Sequence, residues 1–181
     1  MWPKKSKNLK IEFDKGLVDQ EKSIFEAYGK INAKNFDTNL TIDSQKIIYN
    51  FKDNILLSPF KTNLEYDYQK NLIANSFKYE IDKNLLKIKD LNLTDENKNN
   101  IKSSIAYINT KTNNLFGKNI FVSLNNQTFN KDNEPRFRGN SVKDNEKETE
   151  VTKGVFTTCK KREGCPPWEL SAKKIIHEIG R

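Results

Sequence analysis

The chain has 181 residues, of which 35% are hydrophobic, 31% charged and 10% aromatic, with a formal net charge of +8 from 32 basic and 24 acidic side chains. That length fits one domain or two small ones, and the aromatic and aliphatic content excludes a disordered chain. The basic balance suits a nucleic acid, an anionic lipid or a phosphorylated glycolipid. Lys, Asn and Ile dominate, and only Arg136, Arg138, Arg162 and Arg181 carry guanidinium groups, as an AT-rich genome would also produce.

No apolar run reaches the length of a membrane span. The start, MWPKKSKNLKIEF, has basic residues but not the apolar stretch of a signal peptide. The last residues, KIIHEIGR, stop in the middle of an amphipathic pattern. A fragment lacking its export signal is the expectation.

Taken in order, EKSIFEAYGKI fits a short helix alone, but its flanks alternate like strands. TNLTIDS, NLEYDY, SFKYEI, LLKIKDLNL and NIFVSL alternate apolar and polar residues at period two, the mark of half-buried strands. FKDN, IDKN, NTKTNN and LNNQ separate them as turns. Residues 125–153 are highly polar and read as a long turn, a strand near Arg136 to Val142, and an exposed polar loop at residues 143–150. The chain is expected to be all-β and a single domain, residues 1–181.

A repeat of the form apolar-x-small-x-x-apolar-x-aromatic underlies the alternation. Ile42, Ser44, Ile47 and Tyr49 fit it, as do Leu72, Ala74, Phe77 and Tyr79. Ile101, Ser103, Ala106 and Ile108 fit more loosely, and Leu170, Ala172, Ile175 and His177 fit again. Residues i and i+2 share a strand face, so the step of three needs a β-bulge to return the second pair to that face. Each unit is then a kinked strand with four inward side chains. Stacked units make a solenoid-like β-jellyroll of antiparallel strands with a continuous apolar interior. Any one of these residues is satisfied by filling a core. A ligand-binding reading requires the interior to stay open.

Catalytic chemistry finds no support: there is one His, no nucleophile motif and no glycine-rich phosphate loop. A zinc site built from Cys159, Cys165 and His177 has a wide C-x5-C spacing and lacks a fourth ligand. The pair does not match the C-x-x-C of redox enzymes. A structural disulfide remains, local or to a cysteine elsewhere in a longer chain, and implies export. No metal and no cofactor is expected. Aromatics in inward slots argue against a nucleic-acid partner.

The segment GVFTTCKKREGCPPWELSAKKIIHE, residues 154–178, resembles the end of the N-terminal periplasmic domain of the LptD (OstA, organic-solvent-tolerance) family of outer-membrane lipopolysaccharide-assembly proteins. NEPRFRGNS before it and the kinked repeats upstream look like the same family's OstA-type units. The resemblance implies a non-enzymatic β-jellyroll with an open, V-shaped section at the periplasmic face of a Gram-negative outer membrane. It implies four partners: lipopolysaccharide with its lipid A acyl chains, a periplasmic bridge protein joined edge to edge by β-augmentation, the outer membrane, and a lipoprotein plug acting through a β-barrel absent here. The interior lining would be Ile42, Ile47, Tyr49, Leu72, Phe77, Tyr79, Leu170 and Ile175. In that family one cysteine pairs with a barrel cysteine. Cys159 matches its slot and Cys165 is extra, so local and long-range pairing both stand. The alternative is a β-solenoid structural or adhesive module with a filled core and no ligand.

Overall fold

The computed structural model describes residues 8–66, 70–94, 98–125, 133–145, 147–160 and 168–178. Fourteen strands follow in order: β1 (Leu9–Glu12), β2 (Lys15–Asp19), β3 (Ile24–Asn35), β4 (Leu40–Asn50), β5 (Ile55–Ser58), β6 (Thr62–Tyr66), β7 (Lys70–Ala74), β8 (Ser76–Glu80), β9 (Leu85–Thr94), β10 (Asn100–Asn109), β11 (Leu115–Ser123), β12 (Arg136–Asp144), β13 (Glu148–Thr157) and β14 (Leu170–Glu178). Among the described residues the only helical element is a 3-10 turn, Ile81–Lys83. After a turn at residues 21–23, EKSIFEAYGKI is thus strand from Ile24 onward, with Ala27 and Ile31 buried on one face.

All pairs are antiparallel and form one continuous sheet. Short turns explain the order. Asn39, Asn54, Asn84 and Asn113 take left-handed backbone angles at φ 49–54° or 59° and each ends a turn. Asn tolerates that region better than most residues, and its side chain can bond the local backbone. Asn50 and Asn109 do so at the turn starts, accepting the N–H groups of Lys52 and Asp53, and of Lys111 and Thr112.

The sheet is folded along one corner into two leaves. β4 shows how: Ile48–Asn50 pair with β5, while Thr41–Asp43 pair with β6. β9 does the reverse, with Leu85–Lys89 on β8 and Asn92–Thr94 on β7. Leaf one holds β2, β5, β8 and one half of each long strand. Leaf two holds β1, β6, β7 and the other halves. The corner is made by bulges. In β3 the register slips between Tyr28 and Ile31, with Gly29 at φ 94°. A Cβ there would lie 2.3 Å from Asp14 Oδ2, and the Asp14 carboxylate accepts the Lys30 N–H at 2.7 Å. In β9, β11 and β13 the corner residues are Asp90, Asn119 and Lys153, at φ 52°, 53° and 50°. The repeat's step of three falls on this corner in β4 and β10. In the second repeat it falls on Asn75, between β7 and β8, whose N–H donates to the Lys89 carbonyl.

Between the leaves of β1 to β10 lies the main core. Ile31, Ile42, Leu64 and Leu72 from leaf two meet Ile47, Leu56, Leu86 and Ile88 from leaf one. Burying such a side chain stabilises by about 1.5–3 kcal/mol. A second, smaller cluster of Ile120, Val142 and Val151 fills the corner of β11 to β13.

The polar stretch at residues 143–150 is not an exposed loop. β12 runs to Asp144 and β13 starts at Glu148. Between them Asn145 Oδ1 accepts the Lys147 and Glu148 N–H groups, and the Asn145 N–H donates to the Glu148 carbonyl at 3.1 Å. Polar residues persist here because outward strand positions face water.

Candidate functional site

Strand register arranges the inward side chains in rows that cross the sheet. In leaf two one row runs Leu93, Ile101, Val122, Phe137, Phe156, Leu170 from β9 to β14. In leaf one the facing row runs Ile88, Ala106, Gly117, Val142, Val151, Ile175. Cover decreases along the leaf-two row. Leu93 is buried, Ile101 to Phe156 are half-buried, and Leu170 is 65% exposed.

The leaves part over this end. An open cavity of about 370 Å3 lies between them, lined by Leu93, Ile101, Val122 and Phe137 on one side and by Ile108, Leu115, Val142 and Val151 on the other. That volume is within the range of small-molecule and lipid sites. Its inner end is closed by Tyr66, whose hydroxyl donates to Asn113 Oδ1 at 2.6 Å. The polar groups in its wall are Asn113, Asp144 and Thr149, the last donating its hydroxyl to the Asp144 carboxylate.

Small residues set the width of this section. Gly117, Gly139 and Gly154 sit on inward positions next to the corner. A Cβ on Gly139 would meet Val151 Cγ1 at 2.5 Å, and one on Gly154 would meet Ile175 Cδ1 at 2.6 Å. Without side chains there, the valine and isoleucine fold back into the corner and leave the mouth clear.

The sequence-predicted lining residues fall into two groups. Ile42, Ile47, Leu72, Phe77 and Tyr79 point inward but are packed among themselves in the closed core, each at most 4% exposed. Tyr79 is held by polar partners as well. Its hydroxyl accepts from Asn35 Nδ2 at 3.0 Å and lies 3.2 Å from Thr110 Oγ1. Tyr49 is half-buried, donates to Asn54 Oδ1 at 2.8 Å, and has its pKa raised by burial and by the Asp82 carboxylate. Leu170 and Ile175 lie in β14, paired with Phe156 and with Val151, the latter a cavity-lining residue of β13. The cavity's own walls, Val122, Phe137, Leu115 and Val151, were not singled out in the sequence. Their signal was the run of inward glycines opposite them.

Cys159 is half-buried after β13, with its sulfur 3.9 Å from the Trp168 carbonyl and its own carbonyl accepting from Arg136. Cys165 lies outside the described residues, as does the side chain of His177, so the disulfide and zinc readings both fall there. Among the described residues no group of three His, Cys, Asp or Glu side chains is placed to hold a metal. Among the described residues β14 pairs only with β13, which leaves its other edge without a strand partner there.

No protein-family model matches the chain, and a search of curated proteins gives no significant relative. Solved structures do match. One is LptH from Pseudomonas aeruginosa, described as the LptA-homologous periplasmic component of the conserved lipopolysaccharide transport device. The match has a TM-score of 0.53 at 10% identity and covers 61% of this chain and 81% of that one. The fold is therefore an LptA-like β-jellyroll, the architecture expected from the kinked repeats.

Proposed function

We propose that this chain is a periplasmic jelly roll that conducts lipopolysaccharide, holding its acyl chains between the two leaves without catalysing any covalent step. The observation that carries the reading is the open cavity of β9 to β13 and the apolar row that leads from it to Leu170 on β14. Each buried CH2 of an acyl chain gains about 0.8 kcal/mol. A row of shallow half-buried contacts gives retention without a trap, which a conducted ligand needs.

Two features refine the proposal. The β14 edge that lacks a strand partner among the described residues offers backbone groups to a second jelly roll, extending the sheet by β-augmentation. The resemblance of residues 154–178 to the LptD family favours a chain that receives lipopolysaccharide from a periplasmic bridge protein and passes it to an outer-membrane barrel with its lipoprotein plug. The likeness to LptH favours the bridge itself. Both readings use the same interior. In either, the lining is Ile101, Leu115, Val122, Phe137 and Val151, with Leu170 and Ile175 beyond it on β14, while Ile42, Ile47, Leu72, Phe77 and Tyr79 hold the core. Disulfide pairing of Cys159, with Cys165 or with a more distant cysteine, belongs to the same exported setting.

Native mass spectrometry tests the proposal. The purified chain is mixed with lipopolysaccharide and, separately, with its deacylated form. A one-to-one complex with the acylated molecule alone is expected. No complex, or equal complexes with both, would sink the reading and leave a filled structural β module.

A further inference from the structure

The two leaves share one interior but differ on their outer faces. Outward positions of leaf two mix Asn32, Thr41, Asp43, Asn63, Asn71 and Asn92 with Ile73 and with the scattered lysines Lys10, Lys34 and Lys102. Outward positions of leaf one carry lysines interleaved with apolar and aromatic side chains. One row runs Lys78, Lys87, Tyr107, Phe116, Lys143 from β8 to β12. The row beside it, nearer the corner, runs Lys89, Ile105, Lys118. What sets leaf one apart is the adjacency of Lys87, Tyr107, Phe116 and Lys143 along one row, with Lys89 and Lys118 beside it.

This patch carries charge that the protein does not neutralise. Lys78 is held by Glu80 at 2.9 Å and Lys174 by Glu150 at 2.9 Å. Lys87, Lys89 and Lys118 make no ion pair among the described residues, Lys143 faces the Glu150 carboxylate that Lys174 already holds, and all four are exposed. Lys87 Nζ lies 5.6 Å from the Tyr107 ring centre, and the Tyr107 and Phe116 rings are 6.2 Å apart. The rings are half-buried beneath lysine stems that can lift their ammonium groups outward.

We propose that this outer face of leaf one rests on an anionic phospholipid bilayer. Lys87, Lys89, Lys118 and Lys143 would meet the headgroup phosphates as point charges, and Tyr107 and Phe116 would sit at headgroup depth, where aromatic rings are favoured. The face is distinct from the interior. A bound bilayer would therefore lie alongside the cavity without blocking its mouth.

Vesicle co-sedimentation of the full chain decides this, using phosphatidylcholine vesicles with and without phosphatidylglycerol at low salt. The vesicles contain no lipopolysaccharide, so the result is independent of the conduction proposal. Binding is expected only to the anionic vesicles. The combined change Lys87→Gln, Lys118→Gln and Lys143→Gln should weaken it roughly a hundredfold. A matched change on leaf two, Lys10→Gln, Lys34→Gln and Lys102→Gln, removes the same charge and should leave binding close to that of the parent. Circular dichroism confirms that both variants are folded. Equal loss in the two variants, no binding by the parent, or tighter binding to duplex DNA than to the vesicles at the same salt would overturn the proposal.

Discussion

Replacing Tyr79 with Phe separates a closed core from an open interior. The Tyr79 side chain is fully buried, and its hydroxyl sits among Asn35, Thr38 and Thr110. Thr110 keeps a partner in the Asn84 carbonyl at 3.2 Å. Asn35 Nδ2 is only 3.0 Å from the hydroxyl it would lose, in a residue 4% exposed. A buried donor stranded in this way costs about 1–3 kcal/mol, so Tyr79→Phe should destabilise by about 2 kcal/mol. For a chain of this size that lowers Tm by roughly 4–8 °C. Tyr49→Phe is the comparison, since it occupies the same repeat slot. Its partner Asn54 is reachable by water, and the expected loss is below about 1 kcal/mol. Urea unfolding followed by circular dichroism gives both values. If Tyr79→Phe unfolds within about 0.5 kcal/mol of the parent, solvent reaches that hydroxyl and the closed-core assignment is wrong.

Three further outcomes follow from the corner and the surface. Gly139→Ala should cost about 1–3 kcal/mol by pushing on Val151, and adding Val151→Ala should restore much of it; additive losses in urea unfolding would contradict the contact. Lys153→Gly should stabilise by about 0.5–1 kcal/mol, because it relieves a left-handed corner residue at small entropic expense; a loss of stability would count against the bulge. Hydrogen bonds from Lys78 and Lys83 hold the Glu80 carboxyl at a pKa of about 2, below its ordinary 4.5. Its contribution to stability is therefore present above pH 4.5 and fades as pH falls toward 2. NMR titration should show Glu80 ionising near the lower value, and the gap between the parent and Glu80→Gln should close with acid; a gap unchanged by pH would refute the pairing.

The bends and their spacing were legible because period-two alternation broken by a step of three has one geometric solution. Ile42, Ser44, Ile47 and Tyr49 share an inward face across the corner as that solution requires. What alternation could not show is how far the two leaves stand apart. The same rule places Leu72 in a sealed core and Leu170 at an exposed edge, since β7 has β6 and β9 on its two sides whereas, among the described residues, β14 has a neighbour on one side only. The continuation of β12 to Asp144 and the start of β13 at Glu148 were hidden because polar strand residues such as Glu148 and Glu150 look like loop residues. The outward rings of Tyr107 and Phe116 were hidden for the converse reason. They occupy outward strand positions, where the apolar pattern leads one to expect only inward aromatics.

Site-specific photocrosslinking to lipopolysaccharide tests the central claim most directly. Probes would stand at Val122 and Phe137 in the cavity wall, at Ile47 and Tyr79 in the closed core, and at Asn63 on the polar outer face. Crosslinks at Val122 and Phe137 alone are the predicted result. A folded chain that crosslinks at neither, or as strongly at Asn63 as in the cavity, would contradict lipid conduction between the leaves.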